Sequence, residues 1–183
     1  MDRKTEVFAL AAGAHQKKEY RPVAVAVIQD SCGRYLFVQS VKDLQEWSFP
    51  QGGIEVGEDA EEALSRELQE ELGIVRSGIA RIVYLGNEDM DAESARKDKR
   101  GFTRGKRYFF FLVTVQNPSQ RFTPQRGEIA DYRWVATDEV NQFLATTRAT
   151  KRLLMLKYLA LVSESSMQHG HVHTESHSVY TPE

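Results

Sequence analysis

Three glutamates, Glu67, Glu70 and Glu71, sit three and four residues apart in the stretch Arg66-Glu-Leu-Gln-Glu-Glu-Leu-Gly-Ile74. On a helix, residues at those separations share a face. Carboxylates crowded there repel one another and gain nothing from a core. A hard divalent cation among them makes sense of the pattern, because Mg²⁺ takes oxygen ligands and shares them with substrate phosphates. The plainer alternative is a glutamate-rich solvated face. Upstream, Gly52 and Gly53 let backbone approach closely, so that a carbonyl or amide can reach a metal or phosphate, though a glycine pair also suits an ordinary turn. Phosphate chemistry is the expectation.

The helix that must carry these groups is delimited in the sequence. Asp59 is a suitable N-cap, and Glu62 three residues later completes a capping-box pattern. Ala60, Leu64, Leu68 and Leu72 recur every fourth residue as an apolar stripe, and Gly73 supplies the C-terminal stop. Arg66 can pair with Glu62 one turn away. A better use of its forked donors is to fix the orientation of a carboxylate such as Glu58 or Glu67.

Gly52 to Ile74 reads G-x5-E-x7-R-E-L-x-E-E-x-G-I, through Gly52, Glu58, Arg66, Glu67, Leu68, Glu70, Glu71, Gly73 and Ile74. Every fixed position of the Nudix box is present, and on these residues the chain is identified as resembling the Nudix hydrolases, which cleave nucleoside diphosphates linked to another group. The resemblance implies an α/β fold, the Nudix α/β/α sandwich with a mixed β-sheet. It further implies Mg²⁺, with Mn²⁺ as a substitute, held by Gly52, Glu67, Glu70, Glu71 and Glu128. Arg66, Glu67, Glu70, Glu71 and Glu128 are then the catalytic set. A metal lowers the pKa of a bound water, and Glu67 is the first choice to take its proton, with Glu128 the alternative.

Tyr20-Arg21-Pro22 and the lead-in Trp47-x-Phe49-Pro50-Gln51-Gly52-Gly53-Ile54 resemble the branch containing the RNA 5′-pyrophosphohydrolases and the dinucleoside polyphosphate hydrolases. Gly105-Lys106-Arg107-Tyr108 resembles that branch's entry to a central strand, and Glu128 stands six residues before Trp134. The branch's arginine on the second strand is missing: Gln39-Ser-Val-Lys42 offers only Lys42. Arg21, Lys42, Lys106 and Arg107 are candidates for holding phosphates, and Phe102 and Tyr108 for stacking a base. Between Arg96 and Arg107 the chain carries Lys97, Lys99, Arg100, Arg104 and Lys106 as well. This run suits a triphosphate or an RNA backbone, unless the preceding Glu88, Asp89, Asp91 and Glu93 merely neutralise it.

Strands are expected at Val23 to Ile28, Tyr35 to Gln39, Ile79 to Leu85, Arg107 to Val115 and Ala130 to Val135, with helices from Thr137 to Ala145 and from Arg148 to Val162. The expected organisation is an N-terminal extension over 1–19, a hydrolase domain over 20–162, and a polar tail over 163–183 that is disordered. The tail's His169, His171, His173 and His177 suit a transition metal, although a merely histidine-rich tail explains them as well. The chain has 183 residues, a hydrophobic fraction of 41% and a formal charge of -2, so no whole-chain field points to nucleic acid or membrane. Its single cysteine, Cys32, excludes an intrachain disulfide and suits a reducing compartment. No apolar run approaches the about 20 residues of a membrane helix, and the N-terminal flanks do not resemble a secretory signal. A cytoplasmic enzyme with a nucleotide or RNA 5′-end substrate, and no stable protein partner, is the reading. The alternatives are a hydrolase of another small nucleoside diphosphate derivative, or a non-catalytic nucleotide-binding regulator, which would be expected to have lost box glutamates.

Overall fold

Strand β1 (Tyr20–Gln29) is buried on both faces, with Ala24, Ala26 and Ile28 turned one way and Val23, Val25 and Val27 the other. A β-branched run of this kind belongs at the centre of a sheet covered on both sides. The computed structural model, which describes residues 2–92, 98–117, 122–124 and 127–170, places it there. β1 runs parallel to β6 (Gly105–Val115), from Tyr20 beside Gly105 to Gln29 beside Thr114. Its other edge is shared between β4 (Gln51–Gly53), which pairs antiparallel with Val23 to Val25, and β2 (Tyr35–Ser40), which meets it at Gln29. β3 (Asp43–Ser48) and β7 (Ile129–Val135) flank β2, and β5 (Ile79–Asp91) closes the far edge against β6. Parallel and antiparallel pairs together make the mixed sheet.

Helices cover both faces, giving the expected α/β/α sandwich. On one face α2 (Ala60–Leu72) buries Ala60, Ala63, Leu64, Leu68 and Leu72 against β1 and Phe109 and Phe111 of β6. The stripe read from the sequence is therefore the packing face. On the other face, the short helix α3 (Val140–Phe143) and α4 (Ala149–Gly170) bury Val140, Met155, Tyr158, Leu159 and Val162 against Val25, Phe37 and Phe110. Tyr158 stacks on Phe110 with ring centroids 3.7 Å apart. Leu153 and Leu161, apolar positions of the same helix, face solvent instead.

Several boundaries differ from expectation. No element was expected before Tyr20, yet Arg3–Lys17 forms helix α1, capped by Asp2 and burying Val7, Ala11 and Ala14 in the core. Spaced at four and three residues, those three positions are a helical stripe too small and too alanine-rich to stand out. Strand β3 was also unforeseen, because its Asp43, Leu44 and Gln45 are exposed and lack strand-like alternation. Helix α4 does not stop at Val162 but continues to Gly170, across the start of the expected disordered tail. His171, His173 and His177 lie outside the described residues. Among the described residues, no helix is long and apolar enough to cross a membrane.

Glu46 of β3 fastens α4 to the sheet. It accepts from Arg148 Nε at 2.8 Å and from Lys151 Nζ at 2.9 Å. Burial pushes its pKa up, but the hydrogen bonds from Arg148 and Lys151 outweigh this and bring it down to about 2, from an ordinary 4.5. A depressed folded-state pKa stabilises the protein above pH 4.5 and ceases to do so as the pH falls through 2. Glu46→Gln is therefore expected to cost about 1–3 kcal/mol at pH 7, with the gap to wild type narrowing between pH 4.5 and pH 2. Urea unfolding across that range reads it, and a pH-independent difference would contradict the ion-pair account.

Candidate active site

The box helix presents its glutamates to a cleft because β4 lies directly across from it. Ile54 N–H donates to Pro22 O at 3.1 Å and Ala26 N–H to Pro50 O at 2.9 Å, which staples the glycine segment to β1. Gly52 then touches the Glu67 side chain so closely that a Cβ there would stand 1.7 Å from its Cδ. A Cβ on Gly53 would stand 2.4 Å from Arg21 Nη2. Gly52 is set by its close approach to Glu67 rather than by the turn alone, whereas at Gly53 the near atom is the end of the flexible Arg21 side chain. Asp59 caps α2, its carboxylate accepting from Glu61 N–H at 2.9 Å. Gly73 ends the helix at φ 72°, with Ile74 N–H returning to Leu68 O.

Arg66 is the organiser of the carboxylates. Its Nε donates to Glu58 at 2.9 Å, its Nη1 to Glu67 at 2.7 Å and its Nη2 to the Gly53 carbonyl at 2.9 Å. A longer contact of 3.4 Å reaches Glu70. The surface pair with Glu62 does not form; Arg66 holds Glu58 and Glu67 in place, the use preferred from sequence. Burial raises the pKa of Glu58, yet the Arg66 hydrogen bonds leave it below the ordinary carboxylate range. Glu67 goes the other way: burial raises its pKa more than Arg66 lowers it.

Glu71 is buried deepest, at 8% exposure, and its side chain accepts from Gln51 N–H at 3.2 Å. Burial, together with the negative charge of Glu67, pushes its pKa up to about 8. Glu70 is half exposed at the rim, and Glu128 enters from the turn before β7, where its carbonyl accepts from Val41 N–H. Glu67, Glu70, Glu71 and Glu128 line one open cleft of about 420 Å³ with Gly52, Arg21 and Lys42. The structure thus brings together the box glutamates and Glu128 from two separate stretches of chain.

The donor set fits a hard divalent cation. It is all oxygen, it is over-supplied with negative charge, and its innermost carboxylate is held back from ionising by burial and by its neighbours. Among the described residues the carboxylates do not already close into a three-ligand set. Arg66 draws Glu67 toward itself.

The remaining expected residues are distributed differently. Arg107 forms a two-pronged pair with Asp89, at 2.6 and 2.7 Å. Arg104 lies 3.5 Å from Asp91. Arg104 and Arg107 are therefore neutralised by acids of the preceding run across the β5–β6 edge, whereas Arg100 pairs with Glu55; Arg96 and Lys97 lie outside the described residues. Lys106 faces a second cleft with Tyr108, Arg148 and Lys151, where burial and then the charges of Arg21, Lys151 and Arg148 lower its pKa. Phe102, expected to stack a base, is instead 3% exposed, beside His15 and beneath the Lys18 ammonium. Tyr108 is likewise buried, against Phe110. An aromatic next to basic residues reads the same in sequence whether it faces solvent or the core. Gln39 donates to Leu44 O within the β2–β3 hairpin.

A three-layer sandwich with a glutamate-bearing helix set against a glycine strand defines a class of phosphoanhydride hydrolases, and comparison with known proteins agrees. Residues 19–157 match the NUDIX domain family. The RNA pyrophosphohydrolase of Sphingopyxis alaskensis is 33% identical over 156 residues, covering 81% of this chain and 98% of that protein. The RNA pyrophosphohydrolase of Sodalis glossinidius is 31% identical over 150 residues, covering 78% and 85%. Among solved structures, the E. coli dihydroneopterin triphosphate pyrophosphohydrolase superposes with a TM-score of 0.60 at 20% identity, over 78% of this chain and 98% of that one. A C. elegans Ap4A hydrolase superposes equally well, with a TM-score of 0.60 at 19% identity, over 81% and 98%. The chain belongs to the Nudix family. Within it, the chain falls in the branch of the RNA pyrophosphohydrolases, as its lead-in residues imply.

Gly52 offers a direct test of the site's construction. Gly52→Ala is expected to displace Glu67 and reduce turnover by about 100-fold, the scale of a misplacement of roughly 1 Å, while the melting temperature falls by only a few degrees. Near-wild-type turnover would show that the Gly52–Glu67 contact is not needed.

Proposed function

We propose that this protein is a Mg²⁺-dependent pyrophosphohydrolase that trims the 5′-triphosphate of RNA in the cytoplasm. The observation that carries the reading is the open polar cleft lined by Glu67, Glu70, Glu71, Glu128 and Gly52, in which Arg66 holds Glu67 and the Gly53 carbonyl. The RNA pyrophosphohydrolases similar to it over most of its length supply the substrate class. An open cleft admits the end of a polymer where a closed cavity would not.

Glu67, Glu70, Glu71 and Glu128, with the Gly52 carbonyl, are the residues that would hold Mg²⁺; when bound, it neutralises charge on phosphate oxygens and makes water more acidic. Arg66 keeps Glu67 oriented by also gripping Glu58 and the Gly53 carbonyl, so that its carboxylate stays fixed while charge shifts nearby. Glu67 is the first choice for the group that accepts the proton of the attacking water. Glu128, on a turn rather than a helix, is the second choice. Arg21 lines the cleft with its guanidinium close to Gly53 and is a candidate to meet a phosphate oxygen. Lys42 approaches the same cleft from the β2–β3 turn.

One observation favours a second reading. With Arg104 and Arg107 paired to acids and Phe102 and Tyr108 buried, the described part of the basic run offers little to an RNA strand. A free dinucleoside polyphosphate would need only the cleft.

Phosphate and pyrophosphate release with Mg²⁺ from 5′-triphosphorylated RNA and from diadenosine tetraphosphate, at equal concentration, decides between them. Faster release from RNA is expected; preference for the dinucleotide would establish the second reading. Glu70→Gln is expected to lower turnover on either substrate by roughly 100-fold or more, since it removes one charged oxygen from the set around a metal. Retained turnover in that variant would exclude the proposed site.

A further inference from the structure

Among the described residues, four cations line the cleft: Arg21, Lys42, Arg66 and Arg100. Arg66 is occupied by Glu58, Glu67 and the Gly53 carbonyl, while Arg21, beside Gly53, and Lys42 are the phosphate candidates already named. Arg107, expected from sequence to hold phosphates, is committed to Asp89. Arg100 is different. Its Nη1 donates to Glu55 Oε1 at 2.5 Å, and both side chains are about half exposed, 47% and 53%. An exposed pair of this kind is weak and readily exchanged, whereas a guanidinium meets a phosphate through planar, two-pronged hydrogen bonds.

Arg100 is also held in place, which a merely solvated arginine would not need. Asp98 Oδ1 accepts from both Arg100 N–H and Phe102 N–H at 2.9 Å, closing a tight turn. Phe102 drops from that turn into the core beside His15, whose Nε2 lies 2.9 Å from the carbonyl of Ile54. Thr103 N–H and Arg104 N–H donate to the carbonyls of Lys18 and Glu19. The end of α1, the turn at 98–102 and the chain at Ile54 and Glu55 therefore form one block. Helix α1 lies ahead of residue 19, where the family match begins, so this support for the rim is built from chain outside that match.

We propose that Arg100 contacts the outer phosphates of the substrate and rests on Glu55 until a polyphosphate displaces that carboxylate. Phe102 is the positioning residue that keeps Arg100 at the rim. The inference rests on the reading of the cleft as a phosphoanhydride hydrolase site, and it adds the turn at 98–102 to Arg21 and Lys42 as a phosphate contact, in place of Arg107 of β6, which is paired to Asp89.

Steady-state kinetics on 5′-triphosphorylated RNA test it, with diadenosine tetraphosphate alongside. Arg100→Ala is expected to raise KM about tenfold, the scale of a single charge-assisted hydrogen bond to the substrate, with kcat changed less than threefold. Phe102→Ala is expected to raise KM similarly, yet to add almost nothing in the Arg100→Ala background, because the two residues act as one unit. A purely structural Phe102 would give additive effects in the double variant and would overturn its positioning role. An unchanged KM in Arg100→Ala would overturn the proposal outright. Calorimetric binding of inorganic tripolyphosphate separates this from the functional reading. If wild type hydrolyses neither substrate, the functional reading fails, and Arg100 is judged on binding alone. About tenfold weaker tripolyphosphate binding by Arg100→Ala then supports the contact, while equal binding, or none by wild type, removes it.

Discussion

Arg66 sends its guanidinium to Glu58, Glu67, Glu70 and the Gly53 carbonyl at once, and the rest of the site depends on that grip. Like-charged side chains on one helical face would otherwise splay into solvent, where their repulsion is screened. Gathering them in a partly buried cleft requires a cation that cannot lose its proton, and arginine alone among the side chains supplies one with a rigid fork of donors. Because one prong reaches Gly53, the same group locks the box helix to strand β4. That strand is in turn hydrogen-bonded to β1, the most deeply buried element of the fold. The core thus fixes the glycine turn, the turn and Arg66 fix Glu67, and little slack remains between the sandwich and its reactive carboxylates.

The site was legible in sequence where a local rule set it. Glu67, Glu70, Glu71 and Arg66 occupy one helix, and helical spacing places them together without knowledge of the rest of the chain. The apolar stripe, the Asp59 cap and the Gly73 stop are local in the same sense, and each appears where expected. Gly52 was legible as a glycine but not as a contact: only the packing of β4 against α2 shows that its missing Cβ leaves room for Glu67. Glu128 depended on the resemblance to a family, since no periodicity connects it with a helix more than fifty residues earlier.

Long-range pairing hid the rest. Arg104 and Arg107 form part of a conspicuous cationic run, yet strand register sets Arg107 opposite Asp89 and Gly105 opposite Asp91. The charge of these two arginines is thereby spent along a sheet edge. Phe102 and Tyr108 illustrate the same limit for aromatics, because burial is decided by what covers them, here α1 and the neighbouring strand residues. Helix α1 escaped notice for a related reason: its buried positions are Val7, Ala11 and Ala14, side chains so small that their stripe carries almost no hydrophobic contrast.

Charge in the cleft constrains what it can bind. Five carboxylates, Glu55, Glu67, Glu70, Glu71 and Glu128, share its lining with the four cations. A polyphosphate gains little from a field so nearly balanced, and Arg66 is already spoken for. Two changes tip the balance toward a polyanion. A divalent cation among Glu67, Glu70 and Glu71 would offset most of the negative charge of the inner end, and an exchange of Arg100 from Glu55 to substrate would free a positive group at the outer end. The first change also relieves the cost of ionising Glu71, whose pKa is pushed up by burial and by Glu67. A substrate must therefore be long enough in phosphates to reach from the box helix to the 98–102 turn if it is to profit from both. This makes the distance between two charged ends, rather than the identity of a base, the feature of the cleft best suited to telling a triphosphate from a shorter chain.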